Sequence, residues 1–136
     1  MNIVIAYLMT LLVFAVVDTA WLGTMGDRVY RPLIGSMLAE NFRLIPAVVF
    51  YAIYALGLTI FAVLPALASG QWKTALIWGA AFGFFAYATY DLTNLATLRS
   101  WSVRMVVMDM AWGTFVSGAA ATGGYWLATK VIRALA

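Results

Sequence analysis

This sequence predicts an all-α membrane fold: four transmembrane helices forming one antiparallel bundle over residues 1–136, with a short interfacial segment between the first two. Three observations predict it. Some 65% of the 136 residues are AVILMFWYC and only 10% are charged, against roughly 45–50% and 25% in soluble domains. Charge is absent between Arg43 and Lys73, reduced to Asp18 and Asp27 between Met1 and Arg28, to Asp91 between Lys73 and Arg99, and to Asp109 between Arg104 and Lys130. Each of these stretches exceeds the ~20 residues that cross a hydrocarbon core. The apolar runs are also continuous and not alternating, which favours helices over a barrel.

The first helix is expected near residues 3–25. Its start lacks the basic n-region and cleavage site of a signal peptide, so it is expected to be retained. At about 100° per residue, Tyr7, Leu11, Phe14, Asp18 and Trp21 share one face. In the connection that follows, Asp27, Arg28, Arg31, Glu40 and Arg43 interleave with Val29, Leu33, Ile34, Met37 and Leu38. That spacing suits a short amphipathic helix in the interface beginning at Pro32, and equally a linker with snorkelling arginines.

The second helix, near 45–68, begins with Pro46 where a missing N–H costs nothing, and carries Tyr51 and Tyr54. Pro65 and Gly70 flank a tight turn at Ala68-Ser69-Gly70-Gln71. The third, near 73–98, places Gly83, Tyr87, Tyr90, Asp91 and Asn94 on about a third of its circumference. Gly79 and Gly83 form a GxxxG pair. In the fourth, near 104–130, Met105, Asp109, Trp112, Gly113, Ala120 and Gly124 share a face, and Gly113, Ser117 and Ala121 repeat small residues that permit close packing within the chain or in a homo-oligomer. Trp72 and Trp101 are assigned to the interfacial aromatic belt.

Antiparallel connectivity gathers all five acids into one half of the molecule. At ~1.5 Å per residue, Asp18 lies roughly 10 Å from the loop at Asp27, Asp91 about 12 Å from Arg99, and Asp109 about 7 Å from Arg104. An intramembrane aspartate costs at least ~2.5–3.5 kcal/mol, which makes these three functional candidates by default. They are expected to meet Tyr51, Tyr54, Tyr87, Tyr90, Asn94, Trp21 and Trp112 in one aromatic-walled polar pocket. Two patterns recur in palindromic order: Asp18-Thr-Ala-Trp21 with Asp109-Met-Ala-Trp112, and, between them, Tyr51-Ala-Ile-Tyr54 with Tyr87-Ala-Thr-Tyr90.

The absence of Cys and His excludes disulfides, thiol nucleophiles, His-based triads, and the usual zinc and haem sites. Eight scattered Lys and Arg residues against five acids make no nucleic-acid footprint. Five of the basic residues, Arg28, Arg31, Arg43, Arg99 and Arg104, lie on the pocket side against Lys73, Lys130 and Arg133 opposite, a slight bias toward a cytoplasmic pocket.

Asp18-x-x-Trp21-Leu22-Gly23, Tyr51-x-x-Tyr54-x-x-Gly57, Tyr87-x-x-Tyr90-Asp91-Leu92-Thr93-Asn94-Leu95-Ala96 and Asp109-Met110-Ala111-Trp112-Gly113 together resemble the bacterial predicted-membrane-protein family DUF2177 over nearly the whole chain. That resemblance implies a small multi-pass inner-membrane protein and carries no activity onto any residue.

Function is therefore read from the residues. The leading reading is a lipid or small-molecule site, with catalysis left open, in which Asp91, Asp109 and Asp18 act as acid/base groups or as oxygen ligands of a divalent cation. Asn94 and the tyrosines would orient the bound group, and Arg99 and Arg104 would meet a head-group phosphate. The second reading is a proton-coupled small transporter or exporter subunit centred on Asp18; the third is a non-catalytic assembly subunit.

Overall fold

The computed structural model describes residues 1–136 and is all-helical. Four helices account for it: α1 (Asn2–Met37), α2 (Leu44–Ser69), α3 (Trp72–Thr97) and α4 (Val103–Leu135). α1 and α2 are long and apolar enough to cross a membrane, each with a mean hydropathy of 2.3 over its most apolar window. α3 and α4 are long enough, but their Gly, Ser, Thr, Tyr and Asp content dilutes their apolarity.

The connection after residue 25 is not the separate interfacial helix expected at Pro32. The chain continues from Asn2–Met25 through a π-helical turn, Gly26–Tyr30, into Arg31–Ile34 and a 3₁₀ turn, Gly35–Met37. α2 has the same construction, with a π-helical turn at Thr59–Val63, so Pro65 lies inside the helix and not at its end. The reason is common to both. The N–H of Arg31 bonds the carbonyl of Gly26, and that of Leu64 bonds the carbonyl of Thr59, one residue further back than in an α-helix. The next residue in each case is a proline, and the wider turn relieves its ring of the clash with the preceding turn.

The turn at Gly70 forms as expected: this glycine adopts φ 67°, the left-handed conformation that ends a helix. Ser102 starts α4 by accepting a hydrogen bond from the Met105 N–H at 3.2 Å. α4 then runs about five residues past its expected end, to Leu135.

Close backbone approach joins the helices. A Cβ at Gly79 would stand 2.6 Å from the Ala121 Cβ and 2.8 Å from the Ser117 carbonyl, and one at Gly83 would overlap the Gly113 carbonyl and Ser117. The GxxxG surface and the Gly113-Ser117-Ala121 stripe are thus each other's partners within one chain. Their pairings descend along α4 as they ascend along α3. The same reversed order relates α1 to α4: Thr10 lies on Gly124, Val13 on Gly123 and Trp21 on Trp112. α2 meets α3 where the Phe82 ring covers Gly57, and meets α1 where Phe14 stacks on Tyr54 at 4.9 Å.

The distribution of residue types is the reverse of a water-soluble core. Ala, Gly, Ser and Thr dominate the buried contacts, and Leu12, Ile53, Phe61, Ile77, Phe85, Val107 and Phe115 face outward. Small residues inside and bulky apolar residues outside suit a lipid environment, where contact area and not water exclusion holds helices together. Two buried threonine hydroxyls are satisfied within their own helices: Thr10 donates to the Ala6 carbonyl and Thr59 to that of Ala55, both at 2.7 Å.

Candidate functional site

A cavity of about 550 Å³ opens between the helices near the Leu38–Arg43 connection, within the size range of small-molecule sites. α1 contributes Asp18, Leu22 and Tyr30; α2 contributes Ala47, Phe50, Tyr51 and Tyr54; α3 contributes Ala86, Tyr87 and Tyr90; α4 contributes Asp109 and Trp112; and Phe42 stands at the connection. No basic side chain lines it.

Its two carboxyls are 6% and 7% exposed, for Asp18 and Asp109, and each is held by aromatic donors. The Tyr51 hydroxyl donates to Asp18 Oδ2 at 2.5 Å, and Trp112 Nε1 donates to Asp18 Oδ1 at 3.1 Å. The Tyr30 hydroxyl donates to Asp109 Oδ1 at 2.6 Å while accepting from Trp21 Nε1 at 3.0 Å. The Trp21 and Trp112 rings stack at 4.0 Å with planes 7° apart. One continuous chain therefore runs Asp18–Trp112, across the indole stack, Trp21–Tyr30–Asp109.

This crossing explains the palindromic motif order. In two helices running in opposite senses, an Asp-x-x-Trp on each sets the Asp of one opposite the Trp of the other. Asp18 thus meets Trp112 directly, and Asp109 meets Trp21 through Tyr30. The inner pair of motifs behaves alike, with Tyr54 of α2 packing edge-on against Tyr87 of α3 at 6.3 Å. Tyr54 is anchored to Ser117 Oγ at 2.8 Å.

The remaining expected site residues stand elsewhere. Trp21 backs the cavity through its stack and does not line it. Asn94 is half-buried outside it, Arg99 is exposed in the Leu98–Ser102 connection, and Arg104 is exposed in the first turn of α4. Asp91 is fully buried, also outside the lining, and neither of its carboxyl oxygens has a hydrogen-bond partner. It adjoins Asp109 and the indole of Trp101. Trp101 is 8% exposed and its Nε1 is unpartnered, which corrects its assignment to the interfacial belt. The ring is turned inward against Met105, Val106 and Tyr90. Asp18, Asp91 and Asp109 do not close into a three-carboxylate group able to hold a metal ion, so the divalent-cation reading gains no ligand set. The one ion pair, Arg31 Nε to Asp27 Oδ1 at 2.8 Å, is exposed and includes none of the three aspartates Asp18, Asp91 and Asp109.

Tyr30, Phe42 and Phe50 are cavity residues that sequence reasoning missed. Phe50 carried a usable signal, four residues before Tyr54. Tyr30 carried none, because the π-helical turn that aims it inward is not visible in hydrophobic periodicity.

The family model described as predicted membrane protein (DUF2177) matches residues 3–126, so the chain belongs to that family. No curated protein and no solved structure matches the chain.

Proposed function

With membership of a membrane-protein family as its premise, we propose that this chain is a four-span antiparallel bundle of the bacterial inner membrane that binds an amphiphilic organic cation in its aromatic cavity. The observation that carries the reading is the lining itself. Asp18 and Asp109 stand among Tyr51, Tyr54, Tyr87, Tyr90 and Trp112 with no basic group present. Buried carboxylates and aromatic faces both attract a positive charge, and an apolar wall accepts its hydrocarbon part. The outward Ile77, Trp78 and Phe85 of α3, and Val107, Phe115 and Trp126 of α4, support a lipid-facing position for these two helices also.

The cavity reading is tested with two ions of matched shape, tetraphenylphosphonium and tetraphenylborate, added to the full chain in mild detergent. The phosphonium is expected to bind at least ~30-fold more tightly, from about 2 kcal/mol of desolvated cation–π attraction. Equal affinity would reduce the cavity to a generic apolar surface, and preference for the borate would refute the reading.

The topology has its own test, and the cysteine-free sequence provides a clean background for it. Gln71→Cys and Ser100→Cys, at opposite ends of α3, are expected to react with a membrane-impermeant thiol reagent from opposite sides of sealed vesicles. Labelling of both from one side would show that α3 does not cross.

A further inference from the structure

We propose that Asp91 and Asp109 form a carboxyl pair holding one shared proton, and that a cation entering the cavity displaces this proton to water. The second half rests on the organic-cation reading above; the first half stands on the structure of the pair.

Asp91 is the one polar side chain in the interior whose every oxygen lacks a donor, although Asp18 and Asp109 nearby are each held by tyrosine or tryptophan. It is fully buried, and what adjoins it is the second carboxyl, Asp109. Two ionised carboxylates can offer each other no hydrogen bond. One proton between them converts the contact into a carboxyl-to-carboxylate bond, satisfies an otherwise orphaned oxygen and halves the buried charge. The Trp101 indole N–H, buried, unpartnered and beside Asp91, is a donor available to the oxygen that remains charged.

The surroundings contain no competitor for this role. Asp109 faces Tyr30 and Asp18 of α1, and Tyr87, Tyr90 and Asp91 of α3. Asp91 faces Asp109 of α4 and Tyr90 of its own helix. Tyr51 and Tyr54 of α2 face Asp18. No Lys or Arg pairs with any of the three aspartates.

Asp109 belongs to both sites: it lines the cavity and completes the pair. A cation held there supplies the positive charge that the shared proton supplied before. The O–H bond of the pair then breaks, the proton leaves on water, and one positive charge has entered as one has left. Binding and proton release are thereby coupled through a single side chain, as exchange of an organic cation for a proton requires.

Infrared spectroscopy of the ligand-free, full-length protein in detergent at neutral pH tests the pair. The C=O stretch of one un-ionised carboxylic acid is expected in the wild type, retained in Asp18→Asn and lost in Asp91→Asn. Should Asp91→Asn not fold, Asp109→Asn is expected to shift the band by replacing the partner of its hydrogen bond. Absence of the band from the wild type, or its survival unshifted in both pair variants, overturns the proposal. Coupling is then read by adding tetraphenylphosphonium, which has no exchangeable proton, in weak buffer. About one proton should be released per ion bound by the wild type, and none by Asp91→Asn. Binding without release overturns the exchange and leaves the cavity reading standing. Failure to bind overturns the cavity reading and with it the exchange, and the infrared result still decides the pair.

Discussion

Gly83→Ala is expected to destroy the packing of α3 on α4, while Gly23→Ala stabilises the chain. Adding a methyl to a helical glycine ordinarily gains about 0.5–1 kcal/mol. At Gly23 nothing stands within 4 Å of the new Cβ, so this gain should be realised. At Gly83 the Cβ meets the Gly113 carbonyl and lies 2.6 Å from the Ser117 Cβ. A backbone carbonyl in the middle of a 33-residue helix cannot rotate aside, so the helices must separate. Every small-residue contact along the seam would then weaken together, and the loss should exceed ~4 kcal/mol. Thermal unfolding followed by circular dichroism in detergent measures both variants. Equal midpoints for Gly83→Ala and wild type would mean that the two helices do not pack as described.

The second large effect concerns the donors to Asp18. Replacing both, by Tyr51→Phe with Trp112→Phe, keeps an aromatic ring at each position, a smaller one at Trp112, and removes the O–H and N–H that hold the carboxyl. Hydrogen bonds to a charged group are worth about 1.5–3 kcal/mol each, so the double variant should lose roughly 3–6 kcal/mol. Adding Asp18→Leu to the same background should restore most of that loss, since a buried site without a carboxyl has no orphaned oxygen to satisfy. The triple variant, which keeps Asp109 and the tyrosines of α3, is also expected to show reduced selectivity for the phosphonium over the borate. A double variant as stable as wild type would show that the tyrosine and indole do not hold Asp18.

These outcomes depend on features legible in the sequence to different degrees. The seam of α3 and α4 was readable because Gly79, Gly83, Gly113, Ser117 and Ala121 recur at four-residue spacing, and such spacing serves only close helix approach. Whether the seam joined two copies or two parts of one chain was not readable, since either arrangement needs the same residues. The gathering of Asp18, Tyr51, Tyr54, Tyr87, Tyr90, Asp109 and Trp112 followed from helical periodicity and short connections. Asp91, Asn94, Arg99 and Arg104 shared the same stretch of chain, yet the rotation of α3 leaves Asp91 and Asn94 outside the cavity, and Arg99 and Arg104 are exposed in and just beyond the Leu98–Ser102 connection without lining the cavity.

By itself the sequence determined that this chain is helical, that its surface is apolar and that its acids lie at one end, because charge spacing and residue type act locally along each segment. Only the tertiary structure decided what each acid faces. A carboxyl's partners depend on how its helix is rotated and on what crosses it from a distant part of the chain. Two π-helical turns reset that rotation where periodicity predicts none, and the one in α1 brings Tyr30 onto Asp109. Asp18 and Asp109 are consequently clasped by aromatic donors, and Asp91, identical in type and one turn beyond Tyr87, has only another carboxyl and an unpartnered indole beside it.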